Sequence, residues 1–315
     1  MNRILPSLCG IVERHCTDSH QLTAISGLTL FRIENATRPQ HLIYHPRILV
    51  VAQGSKRVQL GRSSFWLNPK KILVVTVDVP VATQIYTATN GTPHLAFTLD
   101  LDLSVLAEVL QEVPTKPISS CSFPGIAATT TTFNLLELFM RLLRLLDQPN
   151  DIEFVAPLIV KEIYFRLIQS NLGDVLTQFS LNRSHVLQIR KVTNWIKLHY
   201  ANPMSIETLA NMANMSVSSF HRHFKNLTLM SPIQYRTQIR LQEARRILLS
   251  EGERAGAVGV SYESQSQFTL DYKRMFGAPP VTDTTRLMTN RDLGATVLTG
   301  GAVTPTLLNH RSKDA

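Results

Sequence analysis

The 315-residue chain has three cysteines, two tryptophans and no apolar run approaching the roughly 18 residues of a membrane-spanning helix. Each shortage excludes something. Cys9, Cys16 and Cys121 are odd in number and scattered, which argues against a disulfide framework. Cys9 and Cys16 with His15 and His20 fit no zinc-ligand spacing, so no metal is expected there. The opening MNRILPSLCGIVERHC is too soon interrupted by Glu13 and Arg14 for a secretory signal, so a cytoplasmic chain that stays off membranes is expected. Acids are also short. There are 23 against 32 bases, giving a net charge of +9 and a pI near 9.7. Between Leu181 and Arg286 the count is 14 bases to 7 acids, so the positive charge sits in the C-terminal third. Such asymmetry suits a polyanionic partner.

What is present falls into two halves. From Leu28 to Asp100, short runs rich in Val, Ile, Thr and Phe (LTLFRI, RILVVAQG, KRVQLG, SFWLN, ILVVTVD, ATQIYTAT, HLAFTLD) are punctuated by turn residues. That spacing predicts a β-sandwich or barrel. A helix follows, with Leu103, Leu106, Ala107 and Leu110 on one face. The passage VPTKPISSCSFPGIAATTTT reads as a loop. Two apolar helices come next, FNLLELFMRLLRLLDQ and DIEFVAPLIVKEIYFRLIQ. Leu135, Leu138, Phe139, Leu142, Leu146, Ile159, Ile163 and Leu167 offer more apolar surface than one narrow stripe needs, so part of it is expected to pair with a second copy. From about Arg183 the pattern is helical, and from about Thr289 it loses periodicity and is expected to fray.

Within the helical half one unit occurs twice. In the first copy Ser205 caps a helix carrying Ile206, Leu209, Ala210 and Ala213 on one face. Asn214 tolerates the left-handed turn that follows. Ser216 caps a second helix with Phe220, Phe224 and Leu227 inward. Two short helices crossing at a small residue make a helix-turn-helix. Ser218, Ser219, His221, Arg222 and Lys225 lie on its outer face, and such groups read base edges and grip phosphates. The second copy repeats Ser216, Phe220, Phe224, Lys225 and Pro232 as Ser264, Phe268, Tyr272, Lys273 and Pro280, an offset of 48 residues. Upstream of the turn, Ala210 pairs with Ala257.

Between the copies, SPIQYRTQIRLQEARRILL places Leu241, Ala244, Ile247 and Leu248 on one face, with Arg236, Arg240, Arg245 and Arg246 around the rest. A helix of that length spans about 27 Å. It would hold two reading helices about 34 Å apart, one turn of duplex DNA.

The stretches LANMANMSVSSFHRHFK, SPIQYRTQIRLQEARRIL and SYESQSQFTLDYKRMFGAPP resemble the AraC family of bacterial transcription regulators, over about Arg190 to Pro280. HPRILVVAQGSKRVQLG, WLNPKKILVVTVDVPV and PHLAFTLDLD resemble the cupin-like N-terminal domain of one subgroup. The resemblance implies an α+β chain. Residues 1–182 would form a cupin-like barrel or sandwich with flanking helices, for ligand sensing or homodimer formation. Residues 183–288 would form an all-α DNA-binding domain, and 289–315 a flexible tail. It implies double-stranded promoter DNA as partner, a nucleoid-associated location, an unknown small-molecule effector, and RNA polymerase if the protein activates. Three departures stand out: Ser261 where the family has Gly, Gly256 and Gly259 beside the first helix of the second unit, and Leu270 where members carry Arg.

The expected DNA-facing residues are Ser218, Ser219, His221 and Arg222 for bases. Lys225, Arg240, Arg246, Lys273 and Arg274 are expected on phosphates. Ser264, Ser266 and Gln267 stand at the helix start of the second unit. A metal-dependent enzyme on this barrel would need a His-x-His cluster with a carboxylate, and His41, His45 and His94 do not form one. No enzyme and no cofactor is therefore expected. His41 and His45 read as polar loop or edge residues.

Overall fold

Among the described residues ten short strands pair into two antiparallel sheets, with helices packed against both and gathered at the C-terminal end. This computed structural model describes residues 4–86, 91–113, 124–178, 185–251, 262 and 264–291. After α1 (Ile4–His15) come β1 (His20–Leu22), β2 (Leu28–Ile33), β3 (Gln40–Tyr44), β4 (Arg47–Gln53), β5 (Ser55–Leu60), β6 (Ser63–Leu67), β7 (Lys71–Val75), β8 (Val79–Tyr86) and β9 (His94–Asp100). Then follow α2 (Leu103–Glu112), β10 (Ile126–Thr130), α3 (Phe133–Arg144), α4 (Ile152–Ile168) and α5 (Gly173–Thr177). One sheet has the order β1-β2-β9-β4-β7-β10, the other β3-β8-β5-β6.

The chain passes from one sheet to the other at the β4–β5 corner. Gly54 makes that corner at φ +80°, where a Cβ would sit 3.0 Å from both His94 Nδ1 and the Tyr86 carbonyl oxygen. Only glycine serves there. Alternation then sorts the side chains. Phe97 packs its ring 5.4 Å from that of Phe139 on α3, so Leu95, Phe97 and Leu99 face the helices. His94, Ala96 and Thr98 of the same strand face the four-stranded sheet. The N-cap side chains of Asp102 and Thr132 accept from the first-turn amides of α2 and α3.

Three expectations change. The predicted loop contains a strand: Ile126–Thr130 pairs antiparallel with β7, from Ile126 against Val75 to Thr130 against Lys71. Its β-branched threonines suit an edge strand, and the Pro/Ser-rich neighbourhood hides that signal. The buried face of α2 uses Leu106, Val109 and Leu110, with Ala107 half-buried. The surplus apolar surface of α3 and α4 does not lie where it was sought. Leu135, Leu138, Phe139, Leu142, Ile159, Ile163 and Leu167 are buried within the chain and Leu146 is half-buried, because α3 packs on both α1 and α4. The apolar side chains these two helices leave outside are Phe133, Phe154 and Leu158.

The described residues of the C-terminal half form helices: α6 (His185–Leu198), α7 (Ile206–Met212), α8 (Val217–Thr228), α9 (Pro232–Glu251), α10 (Gln265–Phe276) and α11 (Pro280–Arg291). Its first part joins the large core of the N-terminal half through Phe220, Phe224, Leu227, Tyr235 and Ile239. Its second part has a separate small core of Leu241, Ala244, Ile247, Leu248, Phe268 and Tyr272. The α9 helix therefore serves two cores in turn. No described helix is long and apolar enough to cross a membrane.

Candidate nucleic-acid interface

The first unit is built by its caps. The Ser205 side chain accepts from the Thr208 amide and starts α7, and Ser216 accepts from the Ser219 amide and starts α8. Between them Asn214 takes φ +51°, the left-handed turn expected of it. Leu209, Ala210 and Ala213 of the first helix and Phe220, Phe224 and Leu227 of the second are buried. With that face inward, α8 turns Ser218, Arg222 and Lys225 fully outward, with Ser219 and His221 half-buried beside them. His223 points the other way and stacks on His185 of α6 at 4.0 Å. Burial, then the neighbouring His185 and Arg222, lowers its pKa.

The second reading helix repeats the design. Ser264 accepts from the Gln267 amide and caps α10, Phe268 and Tyr272 are buried, and Gly277 closes the helix at φ +79°. Ser264, Ser266, Gln267, Lys273 and Arg274 are exposed. Arg274 pairs with Asp271 at 3.3 Å on that surface. Leu270 occupies the position that Arg222 holds in the first unit, and it is 52% exposed. Gly256, Ala257, Gly259 and Ser261 lie outside the described residues.

The arginines of α9 divide into two kinds. Arg236 and Arg245 do not merely decorate the helix. Arg236 donates to the carbonyl oxygens of Tyr200 and Asn202 and anchors the end of α6. Arg245 forms a two-pronged ion pair with Asp283 of α11, at 2.7 and 2.8 Å, and Tyr272 Oη donates to the same carboxylate at 2.9 Å. Carboxylate and guanidinium match in shape, so the pair ties α9, α10 and α11 together. Arg240 lies 4.2 Å over the Tyr262 ring. Arg246 is exposed and pairs with Glu243 one turn away.

A junction that sequence reasoning missed joins the two halves. Asp78, in the β7–β8 turn, binds His45 Nδ1 at 2.6 Å and accepts from Lys197 Nζ of α6 at 2.9 Å. Its carbonyl oxygen accepts from Tyr235 Oη of α9 at 2.9 Å. Burial alone would raise the Asp78 carboxyl. The hydrogen bonds and charges of His45 and Lys197 outweigh it and hold the group below the usual carboxylate range. Nearby, the Gly125 amide donates to the Leu227 carbonyl oxygen in the last turn of α8, and the His41 ring meets Phe276 of α10 edge-on at 5.0 Å. His41 and His45 do lie at the edge strand β3 and just past it, yet both serve the junction.

A helix-turn-helix unit followed by a second capped helix of the same design, on a basic helical domain joined to a two-sheet domain, marks a DNA-binding transcription regulator rather than an enzyme. Residues 24–175 match the AraC-type transcriptional regulator N-terminus and residues 209–285 match a helix-turn-helix domain, so the chain belongs to the AraC family. It is 34% identical over 94 residues to the helix-turn-helix regulator YbfP of Bacillus subtilis, covering 29% of this chain and 32% of that one. It is 25% identical over 95 residues to the transcriptional activator RhaS of an Enterobacter species, covering 30% and 34%. The matches thus span about a third of the length of these two curated relatives. A crystal structure of an apo lysine-to-alanine variant of ToxT from Vibrio cholerae shares the fold, with a TM-score of 0.52 at 8% identity over 86% of this chain and 99% of that one.

Proposed function

We propose that the chain is a sequence-specific, effector-responsive regulator whose two reading helices divide the work. In this reading residues 1–182 sense and residues 183–288 bind promoter DNA. The α8 helix enters a major groove with Ser218, Ser219, His221 and Arg222 toward base edges. Lys225, Arg240, Arg246, Lys273 and Arg274 meet phosphates, and the start of α10 at Ser264, Ser266 and Gln267 sits against the backbone. One observation carries the division: two helices with a serine cap and a buried aromatic pair at matching positions (Phe220 and Phe224, Phe268 and Tyr272) expose Arg222 in one case and Leu270 in the other. A guanidinium contacts guanine with two hydrogen bonds, and an isobutyl group cannot.

The junction at Asp78 supports effector control, because it is where a change in the sandwich would reach α6 and α9. Cytoplasmic location, RNA polymerase contact and homodimer formation belong to the same reading. The exposed Phe154 and Leu158 of α4 are the apolar surface available to a second copy.

Fluorescence anisotropy on promoter and random duplexes at one salt concentration tests the reading. Arg222→Ala should weaken promoter binding by about 1–3 kcal/mol and relax selectivity at one base pair. Equal weakening on both duplexes would assign Arg222 to phosphate and remove it from the base-reading set.

A further inference from the structure

We propose that Leu270 of α10 recognises a thymine in the major groove through the 5-methyl group of that base. The proposal rests on the reading above that α10 lies on duplex DNA, and it gives that helix one base to read where the reading gave it only backbone. By the shared offset of 48 residues, Val217, Ser218, His221, Arg222 and Lys225 of α8 correspond to Gln265, Ser266, Thr269, Leu270 and Lys273 of α10. Among the described residues, those five of α10 line one open recess of about 400 Å³. At about 100° per residue, Leu270 stands opposite the buried Phe268 and Tyr272. It is the one large apolar side chain that α10 exposes among the described residues. Thr269 beside it is half-buried, and its hydroxyl donates to the Gln265 carbonyl oxygen at 3.0 Å within the helix. Lys273, nearly one turn further on, is exposed. The middle of the outward face is therefore hydrocarbon and its far end is cationic.

A single exposed leucine is ordinary on a protein surface. Its place on the helix sets this one apart. Arg222, at the same position of the first unit, is the side chain proposed to reach guanine, so a second helix seated in the same way carries Leu270 to the depth of the base edges. An isobutyl group there can pair with no donor or acceptor. Against guanine, adenine or cytosine it would strip water from N7, O6 or an amino group and return nothing. Thymine alone among the four bases presents an apolar group on its major-groove edge, the 5-methyl. Contact there withdraws the methyl and the leucine from water together. Lys273 then meets a phosphate from the next turn and holds the helix in register with that base. One methyl is a small share of the selectivity of a site, in keeping with the unequal division of work between α8 and α10.

Selection from a random duplex library with the full-length protein supplies a site, and uracil, which is thymine without its 5-methyl, supplies the probe. Each thymine under α10 is replaced singly by uracil, and binding is read by fluorescence anisotropy at one salt concentration. At one position the replacement should weaken binding about fourfold, the worth of one methyl group taken from water. Leu270→Ala should bind the thymine and uracil duplexes alike. A loss caused by duplex shape alone would persist in that variant and overturn the proposal. Leu270→Arg, which restores the side chain of the first unit, should move the preferred base at that position from thymine to guanine. Both substitutions fall outside the core of Phe268 and Tyr272, and the uracil comparison in the wild type stands whatever the variants do. Uracil tolerated at every position under α10 would overturn the proposal. So would Leu270→Ala that binds the thymine duplex as tightly as the wild type, which would assign Leu270 to a protein partner. Lys273→Ala separates the two readings. If uracil is tolerated while this variant flattens the slope of log K against log salt by about one, α10 is on the duplex and only the methyl contact falls. If the slope is unchanged and scrambling the sequence under α10 costs nothing, α10 is off the duplex and both readings fall.

Discussion

The first helix-turn-helix unit is set into the N-terminal half, whereas the described helix of the second, α10, packs on α9 and α11. Phe220, Phe224 and Tyr235 belong to the same core as the β-sandwich, while Phe268 and Tyr272 belong to a cluster that holds six buried residues among those described, completed by α9. At their ends the units differ again. The Leu227 carbonyl oxygen of α8 receives an amide from the sandwich, whereas α10 ends on Gly277 and leans on the Arg245–Asp283–Tyr272 network. Duplication of a sequence pattern has thus produced two units with one template and two kinds of support. The difference teaches that a shared cap and aromatic pair specify the local helix start but not what holds the unit in place.

The comparison can be broken most severely on DNA. Scrambling the half-site under α8 should erase most of the specific increment, about 4–10 kcal/mol, while scrambling the one under α10 should cost only about 1–3 kcal/mol. Equal losses at one fixed salt concentration would show that Leu270 is no handicap.

The next effect lies in support. Asp283→Ala leaves Arg245, only 16% exposed, without its partner, and should destabilise the second unit by about 3–5 kcal/mol. Hydrogen exchange should then accelerate in α10 and α11 and remain slow in α8. Matching acceleration in α8 would mean that the two cores unfold as one.

A smaller effect is expected at the junction. Because the folded pKa of Asp78 is depressed, its contribution is present above the unfolded value of about 3.9 and is lost as pH falls through the folded one. Asp78→Asn should remove about 2 kcal/mol at neutral pH and flatten that acid dependence. Trp195 fluorescence from α6, in a Trp66→Phe background, reports it, and an unchanged acid profile would exclude Asp78 as the titrating group. The smallest effect concerns Lys273→Ala, which should flatten the slope of log K against log salt by about one. An unchanged slope would take Lys273 off the phosphates and weaken the anchoring role given to α10.

Local chemistry made much of this legible in sequence. Runs of β-branched residues between turns mark β2 and the strands from β4 to β9, and serine caps with aromatic pairs mark α8 and α10. The three-residue β1 is too short to show a period, β3 hides among polar residues, and β10 lies in a Thr-rich passage that reads equally well as loop. The side chains proposed to face DNA are legible because the repeat aligns them. Their supports are not. Asp78 finds Lys197 across 119 residues and Asp283 finds Arg245 across 38, and neither aspartate carries a local signal. The inward turn of Lys56 is similarly hidden, since it reads as an ordinary strand lysine until the alternation buries it to 8% exposure.

The α9 helix has a further consequence. Its 20 residues are continuous from the first core to the second, so they set an angle as well as a distance. One added residue would lengthen it by about 1.5 Å but swing everything beyond by about 100°. Seven added residues would return α10 to within about 20° of its direction while moving it about 10 Å. Along a duplex rising about 3.4 Å per base pair, that is roughly three base pairs. In the two-helix reading proposed above, a promoter is defined by rotational phase as well as by letters, and the phase is written in the length of one helix.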